Sequence, residues 1–336
     1  MSPIRLEDKL VFDLFFSTCP NRLSDYTFAN SFIWRDSIHL RWKVLNDCLC
    51  VFANGDGGLT MLFPPIGAGD AAAAVRQSLD ICRAYNAIVG VDAPTRVEYV
   101  SSDLLAKFPS DMIGEPMSGD YVYETAAMIE LGGSELASKR QMKNRFARRY
   151  DARTEDLEAR HVPHCLALLE TWNQQSGENC PSRASSVVVK RCKEVAAAAD
   201  ALTYARQIGL YGMVLYAGDR LIGFTLGEYL RSDTVSILIE KTDREFTGSA
   251  QYIFSEFCRK YWSNTKWCNV GDDWEIPSLA WTKQSYRPSY RLAKWILHPA
   301  EAASGVLRLP PVADVAVAAP PPEQASSPAV AMGAAQ

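Results

Sequence analysis

Histidine is scarce in this chain, and long apolar runs are absent from it. Only four histidines occur in 336 residues, and only His161 and His164 are near neighbours, so a zinc site built from cysteine and histidine is not expected. The nine cysteines are an odd number without metal-site spacing, which predicts core thiols and no disulfide framework. No window reaches the roughly 18 uninterrupted apolar residues of a membrane span, and the first ten residues lack an apolar secretory core. We therefore expect a metal-free cytoplasmic protein with no transmembrane segment.

What is present is the composition of an ordinary globular protein. Of the 336 residues, 48% are hydrophobic and 22% are charged, with a formal net charge of -4. This length accommodates two domains or one large one. Residues 300–336 are rich in alanine and proline and contain no aromatic side chain, so they bury too little apolar surface to offset the entropy of ordering. We predict a disordered tail there.

Helix and strand patterns alternate before this tail, and we divide them into two lobes, residues 1–138 and 139–299. The first lobe contains strands at 48–52 and 59–62, paired across a glycine-rich turn, and a helix at 71–85. The second contains helices at 162–176, 187–199 and 249–262 and strands at 211–216, 221–228, 234–240 and 267–270. The order of these elements is that of a GNAT-type acyltransferase: two helices, a meander, a helix after a glycine turn and a further strand. Many α+β domains share this order.

Several short segments are more specific than this order. They are residues 24–30 with Trp34, residues 120–123, residues 139–140 with 143–144, residues 239–241 followed by Gly248, and residues 269–273 followed by 283–288. Together they resemble the DUF2156 family, whose fold is shared with the C-terminal catalytic domain of bacterial phosphatidylglycerol lysyltransferases. The resemblance covers nearly all of the predicted folded region. Its most distinctive part is the closing stretch, residues 283–288.

The resemblance implies a fold, a reaction and a donor. The fold is a mixed α/β, tandem GNAT-like one with two related lobes. The reaction is transfer of an aminoacyl group from an aminoacyl-tRNA, and in the lysyltransferases the acceptor is a lipid head group. For this chain we expect a lipid or small-molecule acceptor and no cofactor beyond the charged tRNA, with a coenzyme A thioester as the alternative donor.

A basic segment offers a place for a polyanionic donor. From residue 139 to residue 149, six of the 11 residues are basic and none is acidic, and a phosphate backbone is one partner that suits such charge. We assign donor binding to Lys139, Arg140, Lys143 and Asn144. A solvated connecting helix is the alternative interpretation.

A glycine turn offers a second place for an anion. Residues 244–250 lie between a predicted strand and a predicted helix, so the amides of Gly248 and Ser249 are candidates for substrate binding. The turn resembles the loop with which GNAT enzymes hold the coenzyme A pyrophosphate, but Arg244 is one position too far from Gly248. A tRNA 3′ end could use the same amides, and Gly248 could also be a capping glycine alone.

Four acidic residues fall at or just beyond the predicted ends of strands, where α/β folds tend to place ligands. A carboxylate there could bind the α-ammonium of an aminoacyl group or accept a proton from the acceptor. We predict catalytic roles for Glu240 and Asp272 and substrate-binding roles for Glu228, Lys241 and Asp273. The structural alternatives are a local ion pair between Glu240 and Lys241 and turn capping by the two aspartates.

The closing stretch offers cations and hydroxyls. Lys283 and Arg287 could clamp phosphate or stabilise an oxyanion, so we predict them to be catalytic. Ser285 and Tyr286 are candidate proton relays that bind substrate. The tryptophans of this region are expected mostly in the core, although stacking on a terminal adenine is an alternative.

Three functions remain open on the sequence. The first is an aminoacyltransferase that uses aminoacyl-tRNA, and the second is an N-acyltransferase that uses acyl-coenzyme A. The third is a non-catalytic module that binds tRNA or another anion. Peripheral contact with a membrane is compatible with the first.

Overall fold

Strands and helices alternate along the part of the chain that the computed structural model describes, residues 1–19, 23–55, 57–105, 108–109, 111–177 and 186–300. The strands in these ranges are β1 (Ser2–Pro3), β2 (Arg41–Leu45), β3 (Cys48–Gly55), β4 (Gly58–Met61), β5 (Ile66–Gly67), β6 (Val97–Ser101), β7 (Met112–Glu124), β8 (Ala152–Asp156), β9 (Tyr211–Ala217), β10 (Arg220–Arg231), β11 (Thr234–Thr242), β12 (Trp267–Asn269) and β13 (Tyr290–Pro299). The α-helices are α1 (Lys9–Ser17), α2 (Phe28–Trp34), α3 (Ala71–Val89), α4 (Thr125–Glu130), α5 (Ala137–Arg149), α6 (Val162–Gly177), α7 (Ser186–Ile208), α8 (Ser249–Tyr261) and α9 (Pro277–Gln284).

These strands form one mixed sheet. Their order is β1-β2-β3-β4-β6-β13-β7-β12-β11-β10-β9-β8, and β5 pairs with β3. The pairs β4–β6 and β11–β12 are parallel, and the other described neighbours are antiparallel. The last strand, β13, therefore lies in the middle of the sheet, between β6 and β7.

One structural unit occurs twice in this sheet. In the first copy the antiparallel strands β2, β3 and β4 are followed by α3 and then by β6, which is parallel to β4. In the second copy β9, β10 and β11 are followed by α8 and then by β12, which is parallel to β11. The two copies lie on either side of the central pair β7–β13.

Helix α3 shows how the sequence specifies these elements. The Asp70 side chain accepts a hydrogen bond from Ala73 N and caps the first turn, as short polar residues do at this position. The buried side of the helix carries Ala74, Val75, Ser78, Leu79 and Cys82, at the spacing of one helical face. Gly90, at φ +71°, ends the helix in the left-handed conformation that glycine adopts without strain.

Two main apolar clusters lie against the sheet. The larger contains buried residues of both predicted lobes, including Phe12 and Val51 from the first and Phe224 and Ile239 from the second. The smaller packs α8 against strands β9, β10 and β11. The lobe boundary at residues 138 and 139 stays a prediction, and the predicted tail at 300–336 lies, apart from residue 300, outside the described residues.

Most of the predicted elements are confirmed, with longer bounds. The predicted helix at 187–199 belongs to α7, which continues to Ile208, and the predicted helix at 71–85 belongs to α3. The central strands β7 and β13 were not predicted. Glu228 and Glu240 lie inside β10 and β11 and not at their ends, because these strands continue to Arg231 and Thr242. Among the described helices, none combines the length and the apolar character that a bilayer crossing needs.

Candidate functional site

A wedge opens in the sheet where β11 and β12 separate. The two strands pair only between residues 234–236 and 267–269. Strand β11 then continues beside β10, whereas the chain after β12 follows β7, with Tyr121 N donating to Gly271 O at 3.0 Å. Parallel strands that diverge at their carboxyl ends leave a gap, and α/β folds bind ligands at such edges.

Glu240 places a buried carboxyl group on the α8 side of this wedge. Burial raises its pKa to about 8, and its Oε2 atom has no hydrogen-bond partner among the described residues. Its negative charge reaches Tyr286, whose pKa is raised by burial first and by this charge next. A carboxyl group that ionises just above neutral pH suits the transfer of a proton.

Tyr286 connects Glu240 to helix α5. Its ring centroid lies 5.6 Å from that of Phe254 and 6.1 Å from that of Tyr123. Lys139 Nζ of α5 lies 4.6 Å from the centroid of the Tyr286 ring, which is within the range of a cation–π contact. Burial lowers the pKa of Lys139. A cation from the basic segment thus reaches the wedge.

Lys283 anchors the loop that follows β12. Its Nζ donates to Val270 O at 2.6 Å and to Asp272 O, and its own carbonyl accepts from the Tyr123 hydroxyl at 2.8 Å. Burial lowers the pKa of Lys283 to about 8, and the charge of Asp272 opposes this shift. An ammonium group has three N–H donors, so in the described structure one remains for a substrate oxygen.

A buried lysine joins three carboxylates next to this loop. Lys294 of β13 is 1% exposed. Its Nζ lies 2.5 Å from Asp25, 2.6 Å from Asp120 and 3.0 Å from Asp272. Burial favours the neutral amine, but the three carboxylates outweigh it and raise the pKa of Lys294. We name these four residues the Lys294 cluster.

Hydrogen bonds fix the cluster between segments that are distant in sequence. Burial favours the neutral form of Asp120, but the Lys294 charge and the hydrogen bonds from Lys294, Ser24 N and Asn269 Nδ2 hold the pKa of Asp120 below its usual value. Burial raises the pKa of Asp25, although Lys294 opposes this. The cluster therefore links the segment before α2, the central strands and the loop after β12.

The loop after β12 contains two residues with strained backbone, and the aspartates of the loop stabilise them by hydrogen bonds. Trp274 and Glu275 have φ of +50° and +59°, a region that is costly for residues other than glycine. Asp272 Oδ1 accepts from Trp274 N at 3.1 Å, and Asp273 Oδ1 accepts from Glu275 N at 2.9 Å. Asp273 Oδ2 also accepts from the Tyr121 hydroxyl at 2.6 Å. Both aspartates thus cap this turn, which was the structural alternative to a role in the site.

Two predicted donor-binding cations of α5 are held by the protein itself. Lys143 Nζ lies 2.8 Å from Glu256 Oε1 of α8 and donates to Ser255. Arg140 donates to the carbonyl of Gly133 at 3.0 Å and to that of Leu131. These contacts fasten α5 to α8 and to the end of α4. The two cations therefore stabilise the packing of α5, whether or not they also bind a ligand.

The outer side of α5 carries its remaining cations. Arg145, Arg148 and Arg149 are exposed, as is Asn144. Within the described ranges none of these three arginines forms an ion pair. Positive charge that no described carboxylate neutralises remains available to an anion.

The predicted anion-binding turn at the start of α8 is covered on one side. Gly248 has φ +96°, and a Cβ atom there would lie 2.4 Å from Met142 O of α5. The next residue, Ser249, is 2% exposed. Gly248 is thus required by its backbone conformation and by the close approach of α5.

Two residues of the predicted closing stretch lie at the surface side of the site. Arg287 is exposed, and its Nε lies 3.8 Å from Glu135 Oε1. Ser285 is half-buried, and its hydroxyl donates to Thr282 O at 2.6 Å. The contacts of Arg287 do not join those of Lys283, with which it was predicted to act.

Two predicted substrate-binding residues lie on the opposite face of the sheet from Glu240. Lys241 Nζ lies 2.5 Å from Glu194 of α7 and 4.1 Å from the ring centroid of Trp172. Successive residues of a strand point to opposite faces, so Lys241 pairs with Glu194 and not with Glu240. Glu228 lies on the same face as Lys241 and accepts from Thr27 Oγ1 at 2.6 Å.

Sequence reasoning missed the centre of the Lys294 cluster. Asp25 and Asp120 stand in segments that carry the family resemblance, but they received no role. The available signal was Lys294 itself, a single charge within the apolar strand sequence of residues 292–297. A charged residue at a core position is almost never buried unless it is paired.

The repeated unit and the mixed sheet define the class of the protein. They confirm the α/β, tandem GNAT-like fold that the sequence resemblance implied. Over residues 16–298 the chain matches the family described as phosphatidylglycerol lysyltransferase, C-terminal. The chain belongs to this family, as predicted, and is thereby a member of an acyltransferase family.

Individual relatives resemble the chain at low sequence identity. An uncharacterized protein of Mycoplasmoides gallisepticum is 27% identical over 212 residues, which cover 60% of this chain and 61% of that protein. A conserved protein of unknown function from Bacteroides thetaiotaomicron has a TM-score of 0.77 and 24% identity, covering 89% of this chain and 98% of that one. L-PGS from Bacillus licheniformis has a TM-score of 0.62 and 13% identity, covering 89% and 93%. The match thus spans about three-fifths of the length of the Mycoplasmoides relative.

Proposed function

We propose that the protein transfers an aminoacyl group from an aminoacyl-tRNA to a hydroxyl or amine of a lipid or small molecule. The family supports aminoacyl transfer in broad terms. Helix α5 is the feature that favours aminoacyl-tRNA as the donor. It carries three exposed arginines and also Lys139, whose Nζ lies 4.6 Å from the ring centroid of Tyr286. A polyanion that binds along this helix brings its end to the wedge.

The dimensions of α5 suit a nucleic-acid end. Lys139 and Arg148 are nine residues apart, which is roughly 14 Å along a helix. Trp281 of α9 is 71% exposed, and its ring centroid lies 5.7 Å from Lys139 Nζ. An exposed aromatic ring beside a cation suits stacking on a base. In this proposal the arginines contact backbone phosphates and Trp281 contacts the terminal adenine.

The wedge supplies the groups for ester transfer. The acceptor oxygen or nitrogen attacks the ester carbonyl while Glu240 takes its proton, and the remaining N–H of Lys283 stabilises the oxyanion. Collapse of the tetrahedral intermediate breaks the bond to the ribose oxygen. That oxygen then receives the proton, with Tyr286 as the relay from Glu240. Arg287, exposed beside Glu135, fits a phosphate contact better than a contact with the carbonyl.

A coenzyme A donor has less support. GNAT enzymes hold its pyrophosphate at the turn before the helix equivalent to α8, but here α5 lies directly over Gly248. An increase in melting temperature with coenzyme A, together with no change with tRNA, would reverse this preference.

Filter binding of aminoacyl-tRNA tests the donor. Replacing Arg145 and Arg148 with alanine should weaken binding and reduce the salt slope of log K by about 1 to 2, since each lost phosphate contact removes nearly one unit. Alanine at Arg76 and Arg83 of α3 removes the same charge elsewhere and serves as the matched control. Equal losses in both double variants would contradict a tRNA surface on α5.

Transfer itself is measured with tRNA carrying one labelled amino acid at a time. Label should leave the acid-precipitable tRNA and appear in a new species identified by mass spectrometry of lipid and small-molecule extracts. Release of free amino acid alone, with every extract and every amino acid, would contradict transfer.

A further inference from the structure

A cavity of about 210 Å³ lies on the opposite face of the sheet from Glu240. It is bounded by α1, the start of α2, the end of α7 and the end of β10. Glu228 and Thr27 form part of its polar wall, and Lys9 and Asp13 of α1 form another part. The rings of Phe16 and Phe28 are among the apolar groups that complete it.

Glu228 has a hydrogen-bond donor in this cavity but, among the described residues, no ion-pair partner. Thr27 Oγ1 donates to its Oε1 at 2.6 Å, but in the described part of the chain it forms no ion pair. Lys9 Nζ lies 2.5 Å from Asp13 Oδ2 and neutralises that side chain. The described residues of the wall therefore contribute two carboxylates and one ammonium, a net charge of -1 when all three are ionised. Burial raises the pKa of Glu228 to about 7, although the Thr27 hydrogen bond and the charge of Lys9 oppose the rise.

We infer that this cavity binds the primary ammonium group of a small organic molecule. An ammonium group supplies the missing cation and makes charge-assisted hydrogen bonds to Glu228. Aromatic rings attract an organic cation through their π faces, and the aromatic residues Phe16, Tyr26 and Phe28 line the cavity. The volume is smaller than that of sites for drug-sized ligands.

A metal ion fits the cavity less well than an ammonium group. Hard cations need six or more oxygen ligands, whereas among the described wall residues only Glu228 is a carboxylate without an ion pair. The inference is independent of the transfer reaction, because Glu240 and Lys283 lie at the wedge.

Calorimetric titration with ethanolamine tests the inference. Its four non-hydrogen atoms limit the affinity, so we expect a dissociation constant on the order of 1 mM. The Glu228→Gln variant keeps the shape and removes the charge, and we expect at least tenfold weaker binding, as for the loss of a charged hydrogen bond. The Glu98→Gln variant removes one charge from β6 and is the matched control, with unchanged binding. Ethylene glycol, the neutral analogue, should not bind.

A second variant keeps the test decisive if Glu228→Gln fails to fold. Ser17 is exposed and lines the cavity, so Ser17→Trp fills the opening without removing a charge and should abolish ethanolamine binding. Binding that persists unchanged in Ser17→Trp, or in folded Glu228→Gln, overturns the inference, as does the absence of heat up to about 10 mM ethanolamine. Vesicles with and without phosphatidylethanolamine then distinguish the two sources of the amine. A preference for the amine-bearing vesicles that is lost in Ser17→Trp assigns a lipid head group. Binding of free ethanolamine alone assigns a soluble amine.

Discussion

Replacing Lys294 with methionine should destabilise the protein in a strongly pH-dependent way. The side chain is buried, and its Nζ contacts the carboxylates of Asp25, Asp120 and Asp272. Methionine fills a similar volume but supplies no charge. Removal of one partner from a buried ion pair costs about 3 to 5 kcal/mol, and here three carboxylates lose the same cation. We expect a loss of at least that size in the free energy of unfolding at pH 8.

The direction of the pH effect follows from the shifted pKa values. In the native protein the Lys294 charge holds the pKa of Asp120 below its usual value and limits the rise in that of Asp25. Without that charge, burial outweighs the hydrogen bonds that Asp120 keeps from Ser24 N and Asn269 Nδ2, and it raises the folded-state pKa values of both groups above those of the unfolded chain. A raised carboxyl pKa costs stability above it, and the cost disappears as the pH falls toward the unfolded value. Each unit corresponds to about 1.4 kcal/mol, so the defect should shrink by roughly 2 kcal/mol or more between pH 8 and pH 5.

Urea denaturation of both proteins at pH 5 and pH 8 measures this difference. Lys241→Met is the matched control, because Lys241 is also buried but pairs with one carboxylate, Glu194, whose side chain is 22% exposed. The loss in the free energy of unfolding of Lys241→Met should be smaller than that of Lys294→Met and should vary less with pH. A Lys294→Met defect below about 1 kcal/mol, or one of equal size at both pH values, would refute the assignment of Lys294 as the charge that balances this cluster.

Three further predictions concern the wedge and the helices around it. The transfer rate should pass through a maximum near pH 8, because Glu240 must be ionised and Lys283 protonated and both have a pKa of about 8. Glu240→Gln should lower kcat by about 100- to 10,000-fold and remove the rising side of this profile, and a rising side that survives in the variant would contradict the role of Glu240 as base. Gly248→Ala should lower the free energy of unfolding, measured by urea denaturation, by about 3 kcal/mol, since its φ is +96° and its Cβ would meet Met142 O. The control Gly218→Ala, at φ +59° with open space around it, should lower it by about 1 kcal/mol. Equal losses in the two variants would contradict the close approach of α5. Trp281→Ala should change the free energy of unfolding by less than about 0.5 kcal/mol but lower the affinity for tRNA about 5- to 100-fold; unchanged filter binding would exclude stacking.

Local signals predicted the repeated unit but not the centre of the sheet. Helix α3 follows from an N-capping aspartate, one apolar face and a terminal glycine, all within 21 residues of sequence, and the meander strands follow from turns of the same local kind. The position of β13 between β6 and β7 depends on pairing with strands far away in the chain. No periodicity within residues 290–299 encodes that partner.

The same distinction applies to the site. Glu240 and Tyr286 could be identified as candidates because each stands in a distinctive segment, but their proximity depends on the divergence of β11 from β12. The face that Lys241 presents was not predictable, because the ladder between β10 and β11 contains a register shift near Leu226. Local pattern cannot place such a shift, and a shift of one residue exchanges the two faces.

The wedge and the cavity meet at one short segment before α2. Asp25 contacts Lys294, Ser24 N donates to Asp120, and the Thr27 hydroxyl donates to Glu228. On the other side of the cluster, Asp272 pairs with Lys294 through its side chain and accepts from Lys283 through its backbone carbonyl. A first-lobe carboxylate therefore helps to fix the loop to which the proposed oxyanion donor, Lys283, is hydrogen-bonded. Because β7 and β13 also supply cluster residues while they join the two units, a cut at the predicted lobe boundary would separate Asp25 and Asp120 from their cation, and the second lobe alone cannot retain the geometry of the wedge.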